Sequence, residues 1–478
     1  MIYKDISRTD NSLRLYQQRA KEDIFSAWDE CDGVMFQMPT GTGKTRLFSS
    51  IIRDIKTWST QKDENIKILI IAHRIELIDQ ISDSLNHYKV SHGIIAGGKP
   101  RDLRHSVQIA SVQTITHRTN LDVAYDLNAN FIIVDEAHHC VANSYKKLWD
   151  MYPNAKKLGV TATPWRMNNG GFTSVFNKII ISQSIQSFIE AGWLAPYDYY
   201  SISHDSEIQK EINSITEFDI EGDYKTSALE KKIDTPRIRA QLLDSYLKYA
   251  KGKKGIIYSI SRKHSDHICM EYREAGINIV RIDSKTSKDE RKLYVDRFKN
   301  GLIDIIVNVD IFSEGFDCPD IEFIQLARPT KSLVKYLQQV GRGLRPTTGK
   351  DNCLILDNVG LHFQFGLPNS DRNWEGYFVG NPHVSIHRND SGRSILLEHK
   401  ERNYSEGKDE MQLIVASKRT EEAKTKQWSE KDIELLITLF EEKQCPIEIL
   451  ASIFKRSEDE IRNKIMEFSS HSGLSFQP

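Results

Sequence analysis

The 478-residue sequence has no long apolar run, no closely paired cysteines and no surplus of charge of one sign. A membrane-spanning helix needs about 20 consecutive apolar residues, and no stretch approaches that length. The amino-terminal segment MIYKDISRTDNSLRLYQQ lacks the continuous apolar core of a secretory signal peptide. The sequence therefore predicts a protein without a membrane partner.

Cysteine is scarce, and the spacing of the cysteines does not indicate a zinc or redox site. No two cysteines have the C-x2-C spacing that zinc and redox sites commonly use. We therefore expect free thiols in a reducing, cytoplasmic compartment. The six residues are Cys31, Cys140, Cys269, Cys318, Cys353 and Cys445.

Charge is balanced, with 65 Lys and Arg against 66 Asp and Glu and a formal net charge of −1. Overall attraction therefore does not bring this chain to a polyanion, and a nucleic-acid partner would have to be held by a local basic surface. At roughly 150 residues per domain, the length predicts about three domains.

Short apolar runs rich in isoleucine and valine recur through the first 360 residues. Apolar runs without polar alternation are typical of parallel strands that are covered on both faces. Helical patterns such as Thr45–Trp58 and Ile75–His87 separate them. The sequence thus predicts an α/β fold with two successive parallel-sheet domains. The first series of runs is 34–38, 66–72, 107–112, 131–135, 157–162 and 178–182, and the second is 255–260, 277–282, 303–309, 321–327 and 353–357.

Changes in composition set the predicted domain boundaries. A polar, acidic and irregular stretch from about Ser201 to Asp234 separates the two series of strands, and the last 50 residues turn strongly helical. In this tail we predict three helices. The second covers Ile447 to Phe454, and Ser457 and Glu460 cap the third. The first is marked by the apolar residues Trp428, Leu435, Leu436, Leu439 and Phe440. The boundaries are 1–196 for the first domain, 197–240 for a linker, 241–360 for the second domain, 361–420 for a connector and 421–478 for a small all-α module.

The segment VMFQMPTGTGKT joins a predicted strand to a predicted helix. Glycines at 41 and 43, with Thr42 between them, allow backbone N–H groups to surround phosphate oxygens at a helix N-terminus. Lys44 would reach the β- and γ-phosphates, and the Thr45 hydroxyl would ligate magnesium. The strict pattern G-x4-G-K-[ST] begins with glycine, whereas this sequence has Met38 there.

A pair of carboxylates, Asp135 and Glu136, follows directly on the apolar run FIIVD. Because the carboxyl ends of parallel strands share one edge of a sheet, Asp135 can face a magnesium ion near Thr45. Glu136 can then orient or deprotonate an attacking water. A metal site built from the adjacent His138, His139 and Cys140 is disfavoured, since contiguous side chains cannot all point at one ion.

These segments stand in a series that resembles the DEAH-box branch of the superfamily 2 helicases. The resemblance covers roughly residues 10–360 and implies two RecA-like P-loop domains that bind ATP and Mg²⁺. It is carried in order by LRLYQQ, MPTGTGKT, AHRIELIDQ, IASVQT, DEAH, TATP, IIYSISRKHSDHI, FSEGFDCP and QQVGRGLRP.

The resemblance implies further roles at the nucleotide site. Gln17 would read the adenine edge, which implies a preference for ATP. Gly315 would allow close backbone approach while Asp317 approaches the ribose. Arg342 and Arg345, three residues apart, would cross the cleft to neutralise the γ-phosphoryl group when the lobes close.

The resemblance also implies a link inside the first lobe and a nucleic-acid surface. Thr161 and Thr163 of TATP would link the DEAH segment to the cleft by hydrogen bonds. Arg74, Thr114 and Arg262 would contact the sugar–phosphate backbone, which carries little sequence information. Arg74 could instead pair with Glu76 or with a neighbouring helix.

The tail resembles a Myb- or SANT-like helix-turn-helix. Because its charge between 418 and 467 is slightly acidic, docking of a protein is an alternative to DNA binding. For the whole chain we expect an ATP-driven helicase or translocase on DNA, with roles in repair, restriction or phage defence open. An RNA helicase and a nucleotide-gated scaffold are the alternatives.

Overall fold

The computed structural model of the protein describes residues 3–117, 121–309, 318–382 and 411–416, and in the tail 435–436, 439–440, 445–454, 461 and 465. Within these residues the chain forms two parallel-sheet lobes, as the sequence predicts. No helix in this described part is both long and apolar enough to cross a bilayer.

The first lobe is a parallel sheet with strand order β3-β4-β2-β5-β6-β1-β7 in the described residues. Its strands are β1 (Gly33–Gln37), β2 (Ile68–Ala72), β3 (Gly93–Ile95), β4 (Val107–Ser111), β5 (Phe131–Asp135), β6 (Lys156–Thr161) and β7 (Lys178–Ile181). Its helices are α1 (Leu15–Glu30), α2 (Lys44–Lys62), α3 (Ile75–His87), α4 (Val112–Ile115), α5 (Leu121–Leu127), α6 (Asn143–Met151) and α7 (Ile185–Glu190).

Successive residues of the central strands enter two different cores. Val34 and Phe36 of β1 belong to one buried cluster, whereas Met35 between them belongs to another. Strand side chains alternate between the two faces of a sheet, so both faces of this sheet are covered. Uninterrupted apolar strands are therefore required here, and this explains why the predicted runs coincide with the observed strands.

The second lobe repeats this plan with strand order β10-β11-β9-β12-β13-β8-β14, and β14 is antiparallel to β8. Its strands are β8 (Tyr197–Ser201), β9 (Gly255–Tyr258), β10 (Ile279–Ile282), β11 (Ile305–Asn308), β12 (Phe323–Leu326), β13 (Cys353–Asp357) and β14 (Gln412–Val415). Its helices are α8 (Glu207–Asn213), α9 (Thr226–Ile233), α10 (Pro236–Ser245), α11 (Arg262–Glu274), α12 (Lys288–Lys299), α13 (Leu333–Gly343), α14 (Leu361–Phe365) and α15 (Trp374–Val379).

The segment 197–240, expected to be a linker, is instead part of the second lobe. It supplies β8, which pairs with β13, the helices α8 and α9, and the first half of α10. The sequence YDYYS of β8 places tyrosines where the other strands have isoleucine and valine, so its strand character was not recognised. Tyr199 is fully buried and its hydroxyl donates to the Asp357 carboxylate at 2.8 Å. This polar side chain is therefore part of the core of the second lobe.

The segment expected to be a connector, 361–420, likewise packs on both lobes where it is described. Helix α14 lies on α13, where Phe365 stacks on Tyr336 with ring centroids 5.5 Å apart. Helix α15 crosses to the first lobe, and the Phe172 N–H donates to the Phe378 carbonyl at 2.8 Å. Strand β14 then returns to the second sheet. These elements form a strap between the lobes.

The described part of the tail contains α16 (Ile447–Phe454), which has the predicted bounds. Leu436, Leu439, Leu450, Ile461 and Ile465 form a small buried cluster of their own. The predicted third helix lies mostly outside the described residues.

A buried ion pair joins α1 to α2 in the first lobe. Lys21 Nζ donates to Asp54 Oδ2 at 2.8 Å, and both side chains are fully buried. Burial lowers the pKa of Lys21, while its bond to Asp54 acts in the opposite direction. The Lys21 ammonium therefore depends on the carboxylate beside it.

We predict that Asp54→Ala lowers the free energy of unfolding of the first lobe by about 3–5 kcal/mol, because it leaves Lys21 as an uncompensated buried charge. Lys178→Ala removes one partner of the exposed Lys178–Glu30 pair at 2.8 Å and should cost less than about 1 kcal/mol. Chemical denaturation of the full chain measures both changes. Equal effects of the two substitutions would contradict the prediction.

Candidate active site

The loop between β1 and α2 has the backbone conformation of a phosphate cradle. Gly41 and Gly43 have φ angles of 86° and 89°, a region that other residues rarely adopt. Met38 continues the strand instead, since its N–H donates to the Thr161 carbonyl at 3.0 Å and its side chain is fully buried. Glycine is therefore not needed at the first position of the pattern.

Lys44 opens α2 and folds back over this loop. Its Nζ atom donates to the carbonyls of Met38 at 3.2 Å and Pro39 at 3.4 Å. Burial lowers the pKa of Lys44, whereas the nearby carboxylates of Glu136 and Asp135 raise it. The predicted loop lysine and the predicted carboxylate pair thus lie in one electrostatic environment.

The carboxylates follow β5 at the same sheet edge. Asp135 and Glu136 are 4% and 8% exposed, and the Glu136 N–H donates to Asp135 Oδ1 at 2.9 Å. Glu136 has a φ of 51°, an uncommon conformation for a residue other than glycine. Such backbone conformations cluster at functional sites, and here one turns the chain directly after the strand.

A chain of contacts connects Glu136 to the end of β6. His138 Nδ1 lies 3.4 Å from Glu136 Oε2 and 3.1 Å from the Thr161 hydroxyl. The Thr163 N–H donates to the same hydroxyl at 3.2 Å. Hydrogen bonds thus join the DEAH and TATP segments, while the predicted link from them to the cleft stays a prediction.

Helix α13 of the second lobe, which carries Arg342, and the turn after it, which carries Arg345, bring both predicted arginines to the phosphate loop. A Cβ atom on Gly341 would lie 2.8 Å from Thr40 Cβ, so this close approach requires glycine. Arg342 follows and is 4% exposed. Arg345 also lies against the loop, since a Cβ atom added to Gly41 would be 3.2 Å from Arg345 Cγ. The role of Gly341 was not predicted from the sequence, although this glycine directly precedes Arg342.

Gln17 lies beneath the loop, where both ends of its amide contact backbone. Nε2 donates to the carbonyls of Thr42 at 3.1 Å and Gly43 at 3.2 Å, while Oε1 accepts from the Arg14 N–H at 2.9 Å. The Tyr16 hydroxyl also donates to the Thr42 carbonyl, at 2.7 Å. In this arrangement Gln17 supports the loop, and its reading of adenine stays a prediction.

The three residues predicted to contact nucleic acid follow strand ends in both lobes. Arg74 is the N-cap of α3, and Thr114 lies in α4. The residues that precede them are in contact, since Gln113 Nε2 donates to the His73 carbonyl at 3.2 Å. Arg262 begins α11 and is exposed. Their roles stay predictions. Gly315 and Asp317 lie outside the described residues.

Two ion pairs, one between the lobes and one within the second lobe, were not predicted from the sequence. Glu76, considered as a partner of Arg74, pairs instead with Arg291 of α12 at 2.7 Å across the lobes. The buried Asp223 accepts from Lys335 Nζ at 3.0 Å and from the Thr330 hydroxyl at 2.8 Å, at the start of α13. Neither pair has a local sequence signal, since its members are more than 100 residues apart.

Two family models match the chain. Residues 10–166 match "Type III restriction enzyme, res subunit", and residues 238–347 match "Helicase conserved C-terminal domain". The chain is 36% identical to a 51.5 kDa protein of a Lactococcus phage (isolate 7-9) over 72% of this chain and 70% of that protein. It is 32% identical to the ATP-dependent helicase named IRC3 of Saccharomyces cerevisiae over 73% of this chain, and it spans about half (51%) of that protein.

Solved structures share the fold. A fragment assigned to an HsdR subunit of a type I restriction enzyme from Vibrio vulnificus YJ016 has a TM-score of 0.60 at 22% identity, covering 80% of this chain and 69% of the other. The Type ISP restriction-modification enzyme LlaBIII, solved bound to DNA, has a TM-score of 0.55 at 18% identity, covering 74% and 28%. With the two-lobed site described above, the sequence matches establish that the chain belongs to the superfamily 2 helicases, which hydrolyse ATP.

Proposed function

We propose that the protein is an ATP-dependent helicase or translocase of the DEAH-box type that acts on DNA. The observation that carries this proposal is the contact of α13 in the second lobe with the phosphate loop of the first. A hydrolysis site that is complete only when two lobes meet can couple ATP turnover to a change in lobe spacing. That coupling is the basis of a motor.

The phosphate loop and its lysine would hold the nucleotide. Backbone N–H groups of Gly41, Thr42 and Gly43 would surround the phosphate oxygens at the N-terminus of α2. Lys44 would swing from the loop carbonyls to the β- and γ-phosphates. Arg342 and Arg345 would neutralise charge on the γ-phosphoryl group in the transition state.

Magnesium fits the oxygen donors at this sheet edge. A hydroxyl from Thr45 and a carboxylate from the buried Asp135 are the hard ligands that Mg²⁺ takes, with water and phosphate oxygens completing its shell. The ion would neutralise phosphate charge when bound. Glu136, next along the chain, would orient or deprotonate the attacking water.

DNA is the proposed track. Arg74, Thr114 and Arg262 follow the carboxyl ends of β2, β4 and β9 and would contact the sugar–phosphate backbone. The similarity to LlaBIII, which was solved bound to DNA, supports DNA over RNA. The alternatives are an RNA helicase and a nucleotide-gated scaffold. Measuring the ATPase rate with DNA or RNA added separately distinguishes them from a DNA motor.

We also propose a cytoplasmic location and a role in DNA repair, restriction or phage defence. All six cysteines are free thiols, which suits a reducing compartment. The restriction-type family model and the phage relative support the proposed roles.

The tail, over 421–478, is proposed to be a Myb- or SANT-like helix-turn-helix that binds DNA or docks a protein. The support is helix α16 with its own buried cluster around Leu450. If the module binds DNA, we expect the basic side chains of Lys455, Arg456, Arg462 and Lys464 to matter, and these four residues lie outside the described part of the chain.

We predict that DNA stimulates ATP hydrolysis and that salt weakens this stimulation steeply. Backbone contacts release condensed counterions, so affinity should fall strongly between about 50 and 200 mM salt, with little dependence on DNA sequence. The measurement is the ATPase rate with single-stranded DNA, duplex DNA or RNA added separately. Arg262→Ala should reduce stimulation, whereas Lys232→Ala, which removes a charge paired with Glu211 in the same lobe, should not.

Two results would contradict this prediction. Greater stimulation by RNA than by either DNA would favour an RNA helicase. A rate that no nucleic acid changes at low salt would favour the scaffold.

For the tail, we predict that a 1–420 truncation keeps the basal ATPase, because β14 and every proposed ATP-site residue precede the cut. Binding titrations of the full and truncated chains on one duplex decide the role of the module. Weaker duplex binding after truncation indicates DNA binding, and unaltered affinity indicates protein docking. Loss of the basal ATPase would show that the tail is not an independent module.

A further inference from the structure

Three histidine rings form a row between the loop after β2 and the carboxylate pair after β5. The ring of His139 is in the middle, with its centroid 4.5 Å from that of His73 and 4.2 Å from that of His138. Both contacts are tilted, with interplanar angles of 59° and 45°. His139 therefore touches one residue that follows β2 and one that follows β5.

A single 3-10 turn over Ala137–His139 positions the two adjacent histidines differently. The His139 N–H donates to the Glu136 carbonyl at 3.1 Å, so the turn is held against the carboxylate pair. His138 is buried, and its Nδ1 lies 3.4 Å from Glu136 Oε2. His139 is exposed, although its ring touches two others. Packing of the core therefore does not explain its position.

The other end of the row belongs to the proposed DNA surface. His73 directly precedes Arg74, and the His73 carbonyl accepts a hydrogen bond from Gln113 Nε2 at 3.2 Å. Gln113 in turn directly precedes Thr114. The two proposed backbone contacts in the first lobe are thus each next to a residue of this bonded pair. A DNA strand that repositions these loops also moves the His73 ring.

We propose that His139 is a positioning residue that couples DNA binding at the Arg74 loop to hydrolysis at Glu136. A shift of the His73 ring displaces His139 and then His138, because the rings are in direct contact. His138 in turn sets the place of the Glu136 carboxylate relative to the attacking water. A misplacement of about 1 Å at a reacting group can cost roughly 100-fold in rate, so a small shift is sufficient. This inference rests on the proposed DNA-dependent ATPase and names a residue through which DNA controls it.

The test measures the ATPase rate of the full chain while single-stranded and duplex DNA are titrated separately. For His139→Ala, the ratio of the rate at saturating DNA to the rate without DNA should fall roughly five-fold or more, the lower end of usual couplings between sites. The DNA concentration at half-maximal stimulation should stay the same, because the DNA contacts remain. His139→Phe keeps a ring and should retain the ratio.

The chain offers a matched control in His87→Ala. His87 is also an exposed histidine of the first lobe, and its ring contacts an aromatic ring, that of Tyr88, with centroids 5.5 Å apart. It lies near the end of α3, away from the carboxylate pair. This substitution should leave both the ratio and the half-maximal DNA concentration at their wild-type values.

A double variant tests whether His73 and His139 act through one contact. His73→Ala should lower the same ratio, and the double variant should lower it no further, because the effects of residues in contact are not additive. Losses that multiply in the double variant would contradict the coupling, since the two side chains would then act independently.

Three further results would overturn the inference. They are an unchanged ratio in His139→Ala, a loss that saturating DNA restores in full, and an equal loss in His139→Phe. Failure of the proposed function is seen separately. A wild-type rate that DNA does not change would contradict the DNA motor and the coupling together, whereas normal stimulation of both the wild type and His139→Ala would contradict the coupling alone.

Discussion

The contact between Gly341 and Thr40 is the constraint on which the rest of the site depends. Only glycine permits helix α13 to lie this close to the phosphate loop, since a Cβ atom would meet Thr40 Cβ at 2.8 Å. The next residue, Arg342, is then buried, and Arg345 reaches Gly41. Other features hold the same approach: Asp223 anchors the start of α13, and the strap of α14 and α15 links that helix to the first lobe.

Electrostatics explain why this arrangement suits a polyphosphate. Three cations, Lys44, Arg342 and Arg345, lie near two carboxylates, Asp135 and Glu136, and of these five side chains Arg342 and both carboxylates are buried. Bonds from ammonium and guanidinium groups to phosphate oxygens are charge-assisted and strong, so these cations suit a polyphosphate ligand. The lowered pKa of Lys44 has burial as its main cause. A bound phosphate would oppose that shift by stabilising the ammonium.

Much of the fold could be predicted because its strands have a local signal. The runs at 131–135 and 353–357 are observed as β5 and β13 with the same bounds. Strand β8 was missed because its tyrosines and Asp198 resemble an exposed loop, and only pairing with β13 shows its place. Within the site, the positions of Lys44, Asp135 and Arg342 followed from ordered motifs, although their roles stay predictions. The bonds of Gln17 and the Glu76–Arg291 pair depend on tertiary packing and had no local pattern.

The central claim is that the two lobes together form one hydrolytic site, and single-turnover ATP hydrolysis by Arg342→Ala tests it most directly. The account predicts a loss of rate on the order of 10³, with ATP affinity kept within a few-fold. Glu136→Gln should likewise bind ATP without turning it over, and Lys44→Ala should lose affinity. A near-normal rate for Arg342→Ala would contradict the account, because the second lobe would then contribute nothing essential to hydrolysis.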